Sequence, residues 1–132
     1  MTPTLYILMR EDLPDMNPGK AMAQAAHAQA DFDAWVDTLS PNDQMLWRIQ
    51  EWKEDRTFGR TLVLSADLQF IESMMNKAGW FGVGMTVDPT YPWRNFYGKV
   101  FTTVEVTCAW CFACDLTPPD QIEFLKSLPL HQ

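Results

Sequence analysis

Four side chains able to do chemistry recur at helical spacing near the start of the chain: Lys20, Gln24, His27 and Asp31. At 100° per residue they fall within roughly 60° of one another on a helix, forming one polar stripe. Lys20 is the first basic residue of that helix and stands in its opening turn, where unpaired backbone N–H groups already favour an anion. An ammonium there adds a mobile positive charge for a phosphate, a carboxylate or a developing oxyanion. Spacing alone is met equally by a solvated polar face, and His27 by a structural histidine.

Other groupings carry weaker signals. Cys108, Cys111 and Cys114 are spaced like metal ligands, but on a strand Cys108 and Cys114 face one way and Cys111 the other. Three thiolates split across two faces do not close a tetrahedral zinc site, so buried free thiols are expected and no metal. Trp93, Phe96 and Tyr97 surround Arg94 and have the character of a base-stacking surface, of a core cap, or of a dimer interface. Asp88-Pro89-Thr90 reads as a turn whose side chains are an acid and a hydroxyl. Neither a Ser-His-Asp order nor a glycine-rich phosphate loop stands out, and no cofactor is expected.

The elements that must position these groups follow from periodicity and punctuation. Leu5 to Met9 is an apolar run too short for a core helix and reads as a buried strand. Asn17-Pro18 opens a helix expected to reach about Thr38, and its many alanines make it thin enough to approach a sheet closely. Ser40-Pro41, with Asp43 answering, predicts a second helix start, ahead of Met45, Leu46, Ile49 and Trp52. Lys53 to Arg56 is a solvated run leading to a turn, and Thr61 to Leu64 a second strand. A helix is predicted over Ala66 to Ala78 with Gly79 as its cap, a strand over Phe81 to Val87, a loop over 88–98, and a long strand over Lys99 to Asp115. Thr117 caps a last short helix. The order β-α-α-β-α-β-β-α predicts an α/β domain, a three-layer α/β/α sandwich around a four-stranded mixed sheet spanning residues 1–132.

Composition bounds the rest. The chain has 132 residues, 47% of them hydrophobic, enough for a real core and too apolar for disorder. With no stretch of 18 apolar residues, no membrane span is expected; the opening residues Met1 to Thr4 lack the pattern of a signal peptide. Three clustered cysteines suit a reducing, cytoplasmic compartment. The net charge of −7 argues against broad, non-specific nucleic-acid binding, while leaving room for a local basic pocket around Lys20, Arg10, Arg94 and Lys99.

The string Asn17-Pro18-Gly19-Lys20-Ala21-Met22-Ala23-Gln24-Ala25-Ala26-His27-Ala28 resembles the G-K-x-A-A-Q-x-x-H-A signature that opens the first helix of the type 2 peptidyl-tRNA hydrolases. Ile7 to Leu13 resembles that family's first strand, which ends in V-V-R-x-D-L. Trp47 and Trp52 fall in its second-helix region, and Val83 to Asp88 and Val104 to Asp115 look like its last two strands. The resemblance covers about residues 4–128 and implies a metal-independent hydrolase that cleaves the ester between a peptide and the 3′ ribose of tRNA. It makes Lys20 and Asp88 the catalytic lysine and aspartate. Where the family reads D-A-G-x-T, this chain has Asp88-Pro89-Thr90-Tyr91-Pro92, so Thr90 is the nearest substitute for the family's threonine. Gly19, Gln24 and His27 match motif positions and are expected to shape the substrate site together with Arg10, Trp93 and Arg94. The expected partner is peptidyl-tRNA or a related nucleotide ligand. The alternatives are a non-catalytic module binding a nucleotide, RNA or protein through the 89–98 aromatic segment, and a homodimer formed through the same surface.

Overall fold

The Leu5–Met9 run lies in a strand whose seven residues are all buried, β1 (Thr4–Arg10). A strand covered on both faces needs apolar side chains throughout, which is why the run does not alternate. β1 pairs in parallel with β2 (Thr61–Ala66) on one side and antiparallel with β4 (Val100–Ala113) on the other. β3 (Val83–Arg94) forms an antiparallel hairpin with β4 and completes a mixed four-stranded sheet of order β2-β1-β4-β3. The structure, a computed structural model, describes residues 1–55, 58–94 and 97–131; of the groups singled out above, Arg56 and Phe96 lie outside them.

The pleat of β1 sorts its side chains into two cores. Leu5, Ile7 and Met9 join Phe32 of α1 (Pro18–Val36) and Ile49 and Trp52 of α2 (Gln44–Glu54) on one face. Tyr6 and Leu8 join Ile71 and Met74 of α3 (Leu68–Met75) and Leu125 of α4 (Pro119–Lys126) on the other. The result is a three-layer α/β/α sandwich around a mixed sheet. Phe32 organises the first layer: its ring meets Trp52 and Trp110 edge-on, at centroid distances of 5.6 Å and 5.4 Å. Gly84, opposite Trp110 in the hairpin, has no room for a side chain, since a Cβ would stand 2.6 Å from the indole. Ala21 and Ala28, both buried, are the positions where α1 comes close to the sheet.

Several boundaries differ from the sequence reading, each for a local reason. α2 starts at Gln44 because Asp43 itself is the cap, accepting from Met45 N at 2.9 Å; Ser40 belongs to the preceding turn. α3 is capped by Asp67 and ends at Met75, with Asn76 at its C-cap; Gly79, at φ +82°, shapes the following turn instead. Thr117 does not cap α4: its hydroxyl accepts from Cys114 N, and Pro118 holds the N-cap position.

The largest difference is in residues 88–94, expected to be loop and found to be strand. Pro89 and Pro92 are tolerated there because β3 is an edge strand, where a missing N–H breaks no ladder. The register slips between Asp88 and Tyr91, a bulge that accommodates the first proline. At the opposite edge, the C-terminal segment covers β2. Ser65 N donates to Pro129 O and His131 N donates to Val63 O, both at 2.8 Å.

Candidate functional site

The first turn of α1 is built as its sequence requires. Asn17 Oδ1 accepts from Lys20 N at 2.9 Å, and Pro18 occupies a position where its missing N–H leaves no gap. The Lys20 ammonium reaches back to the Asp15 carboxylate and across to Pro92 O, 2.8 Å away on β3. It also stands 5.3 Å from the centroid of the buried Tyr91 ring. The hydrogen bond from Lys20 holds the Asp15 carboxyl below the ordinary aspartate range, helped by the backbone and charge of Arg94.

One turn further on, the side chain of the fully enclosed Gln24 joins two strand residues. Its Nε2 donates to Asp88 Oδ2 at 2.7 Å, across 64 positions of sequence. Its Oε1 accepts from the Thr107 hydroxyl, also at 2.7 Å. The other oxygen of Asp88 accepts from Thr90 N at 2.8 Å and from the Thr90 hydroxyl at 3.3 Å, an arrangement set by the bulge after Asp88. Burial pushes the Asp88 carboxyl up, but the bonds from Gln24 and Thr90 outweigh it and the charge of His27 assists. Asp88 is therefore held below the usual carboxylate range and stays ionised at neutral pH. A carboxylate so well solvated by protein donors is a weak proton acceptor and a good fixed anion, suited to orienting a water or a cation.

Gln24, Asp88 and Thr90 are thus brought together, on α1 and on strand rather than loop, while Lys20 meets β3 further along, at Tyr91 and Pro92. The exposed His27 lies near enough for its charge to act on Asp88. Gly19 is exposed in the first turn, and an added Cβ would meet only Asn17 Oδ1 at 3.5 Å, so packing alone does not demand glycine there. Arg10 is buried and engaged: Nε donates to Asp12, one terminal nitrogen to Val106 O at 3.0 Å, and Glu105 lies 3.5 Å away. Trp93 is fixed by a hydrogen bond from Nε1 to Thr103 Oγ1 and lies nearly parallel to Phe101, 6.5 Å away. Arg94 donates to Gly98 O at 3.1 Å. Of the four cations that could form a local basic pocket, Lys20 and Arg10 are paired with the carboxylates of Asp15, Asp12 and Glu105.

Three participants were not singled out from sequence. Tyr91 and Thr107 carry no spacing signal, because their placement depends on the two irregularities of the β3–β4 register. Asp15 had one available signal, an acid just ahead of a helix whose first turn holds a lysine. The cysteines divide as the strand period requires: Cys108 and Cys114 lie in the α1–α2 core and Cys111 in the α3–α4 core. Burial pushes the Cys108 thiol up to about 11 and that of Cys111 up to about 12. Among the described residues no three His, Cys, Asp or Glu side chains converge as a metal site, and no helix is long and apolar enough to cross a membrane.

Fold and site together define an α/β sandwich in which a buried first-helix glutamine holds a third-strand aspartate, with Lys20 one turn earlier on the same helix bonded further along β3, at Pro92 O. Compared with known proteins, the sequence matches no family model and no curated relative.

Proposed function

We propose that this protein hydrolyses the ester bond of peptidyl-tRNA, releasing peptide and free tRNA. The observation that carries the reading is the Gln24–Asp88 bond, with Lys20 one turn earlier on α1 and held against the same strand. Residues matched to one hydrolase signature by sequence meet in space across α1 and β3, with Gln24 Nε2 holding Asp88 at 2.7 Å. In this reaction a water oxygen bonds to the ester carbonyl carbon, the bond to the ribose 3′ oxygen breaks, and that oxygen leaves with a proton. The Lys20 ammonium stabilises the oxyanion that develops, Asp88 orients the water, and the Thr90 hydroxyl bridges carboxylate and water. Gly19, His27, Arg10, Trp93 and Arg94 shape the binding surface around them. Three buried free thiols accord with a reducing, cytoplasmic setting.

Peptide release from an N-acylated aminoacyl-tRNA, measured with wild type and with Lys20→Ala, tests the reading. Turnover by wild type and a loss of about a hundredfold or more in the variant are expected, the scale of one removed oxyanion donor. Absence of turnover by folded wild type would overturn it.

A second reading, a non-catalytic nucleotide-, RNA- or protein-binding module acting through the 89–98 aromatic segment, is favoured by one observation: Lys20 is already paired with Asp15, which leaves its ammonium less free to stabilise an oxyanion. Retained RNA binding without turnover would select it. The exposed Val87, Val100 and Val104 on the β3–β4 hairpin are the surface a homodimer would use.

A further inference from the structure

The ester that this site is proposed to cleave has two halves, and the aromatic arm beside Lys20 suits only the nucleotide. Beyond the other side of Met16 lies a cavity of about 470 Å³ lined by Arg10, Glu11, Met16, Ser65, Leu130 and His131, among others. It opens at the carboxyl ends of the parallel strands β1 and β2, the end at which α/β sheets hold their ligands. A smaller apolar cavity of about 220 Å³, between Pro18, Ala21, Met22, Ala25 and Val63, shares His131 with it. Two side chains lead from the larger cavity to the proposed catalytic group: the Met16 sulfur lies 3.9 Å from the Tyr91 hydroxyl, and Lys20 stands over the Tyr91 ring.

We infer that these two cavities, adjacent at His131, hold the acyl half of the ester, a short N-acylated peptide whose terminal side chain is apolar. The inference rests on the peptidyl-tRNA reading and deepens it. Ser65 Oγ and His131 Nδ1 lie 3.2 Å apart in the wall of the larger cavity, and His131 also lines the smaller one. A hydroxyl and an imidazole can each donate or accept, which suits a peptide amide presenting both an N–H and a carbonyl. The charged groups favour a neutral occupant over a phosphate: the Arg10 guanidinium is taken by Asp12 and Glu105, and Glu11 stands beside it. The apolar cavity has room for one side chain. His131 is held in place because the C-terminal segment pairs with the edge of β2, so the wall of the cleft is part of the sheet.

The test uses N-acetyl-leucinamide as the probe and follows the backbone amide signals of the whole protein by NMR. Saturable shifts are expected at Val63, Ser65 and His131, with N-acetyl-glycinamide binding about tenfold more weakly for lack of the side chain. Met22→Glu, a change at an exposed rim that does not threaten folding, should weaken the leucine probe by a similar factor. It should also raise KM for a leucine-ended peptidyl-tRNA about tenfold, with the effect in KM rather than kcat. Shifts confined to the Trp93–Phe101 surface, no shifts at all, or equal binding of the two amides would overturn the inference. Probe binding in the cleft by a protein that leaves peptidyl-tRNA intact would instead overturn the hydrolase reading and leave the cleft's ligand class standing.

Discussion

At the scale of single residues, Asp15 stands where an anionic ligand of Lys20 would otherwise place its charge. Its carboxylate bonds the ammonium, which holds the carboxyl below the ordinary aspartate range and so keeps it ionised at neutral pH. An incoming phosphate or oxyanion must share Lys20 with Asp15 or displace it. Asp15→Asn removes that competition while keeping the shape, so RNA or inorganic phosphate is expected to bind several-fold more tightly, measured by titration at fixed low salt. Gln24 is the complementary case, since it joins groups rather than competing for one. Gln24→Ala strips a donor from the buried Asp88 and an acceptor from Thr107. It should destabilise the fold by about 1–3 kcal/mol in denaturant unfolding, the range for stranding a buried polar partner, and raise the Asp88 pKa toward the ordinary value. An unchanged stability would mean that water replaces the amide at no penalty.

At the scale of elements, α1 and the β3–β4 hairpin carry the site between them. α1 is anchored by Phe32 among Trp52, Trp110 and Phe112. Phe32→Ala should lower stability by about 3–5 kcal/mol, since it leaves a cavity in a fully buried ring cluster. β4 carries Cys108 and Cys111, and Cys114 follows directly after it; all three thiols are buried. With Cys108 and Cys111 titrating near 11 and 12, the native protein should resist a thiol reagent at neutral pH and react at three sites on unfolding. Fast labelling of the folded protein would show that β4 opens readily. The hairpin is also where sequence was least informative. Pro89 and Pro92 are strong breakers in general, but an edge strand has N–H groups with nothing to pair, and whether a strand lies at an edge depends on the order of the whole sheet.

At the scale of the molecule, charge decides the response to acid. Asp12, like Asp88, is subject to burial that pushes its carboxyl up, outweighed by hydrogen bonds from Arg10 and Leu68 N. Both fold with pKa values below the ordinary 3.8. Their contribution to stability is therefore complete above that pH and is lost as pH falls through the depressed folded values. Thermal unfolding between pH 7 and pH 3 should show Tm falling steeply only below about pH 4, and Gln24→Ala should flatten the part that belongs to Asp88. The net charge of −7 adds a second expectation. With Lys20 and Arg10 already compensated, few phosphates can be neutralised, so RNA binding should depend on salt with a shallow slope.

The sequence by itself determined what local chemistry and period determine. The unbroken apolar run of β1 required burial on both faces, Asn17-Pro18 required a helix start, and the strand period required the cysteines to part. It also placed Lys20 and Gln24 on one stripe. Only the tertiary structure decided what that stripe faces. Gln24 reaches Asp88 because β3 lies alongside α1, and Thr107 reaches Gln24 because a slip in register turns it toward the helix. Long-range pairing also brought Ser65 and His131 together from residues with no motif between them. Helical and strand periods are written in neighbours a few residues apart, whereas a site made across the sheet depends on strand order and register, which arise when all the layers pack at once.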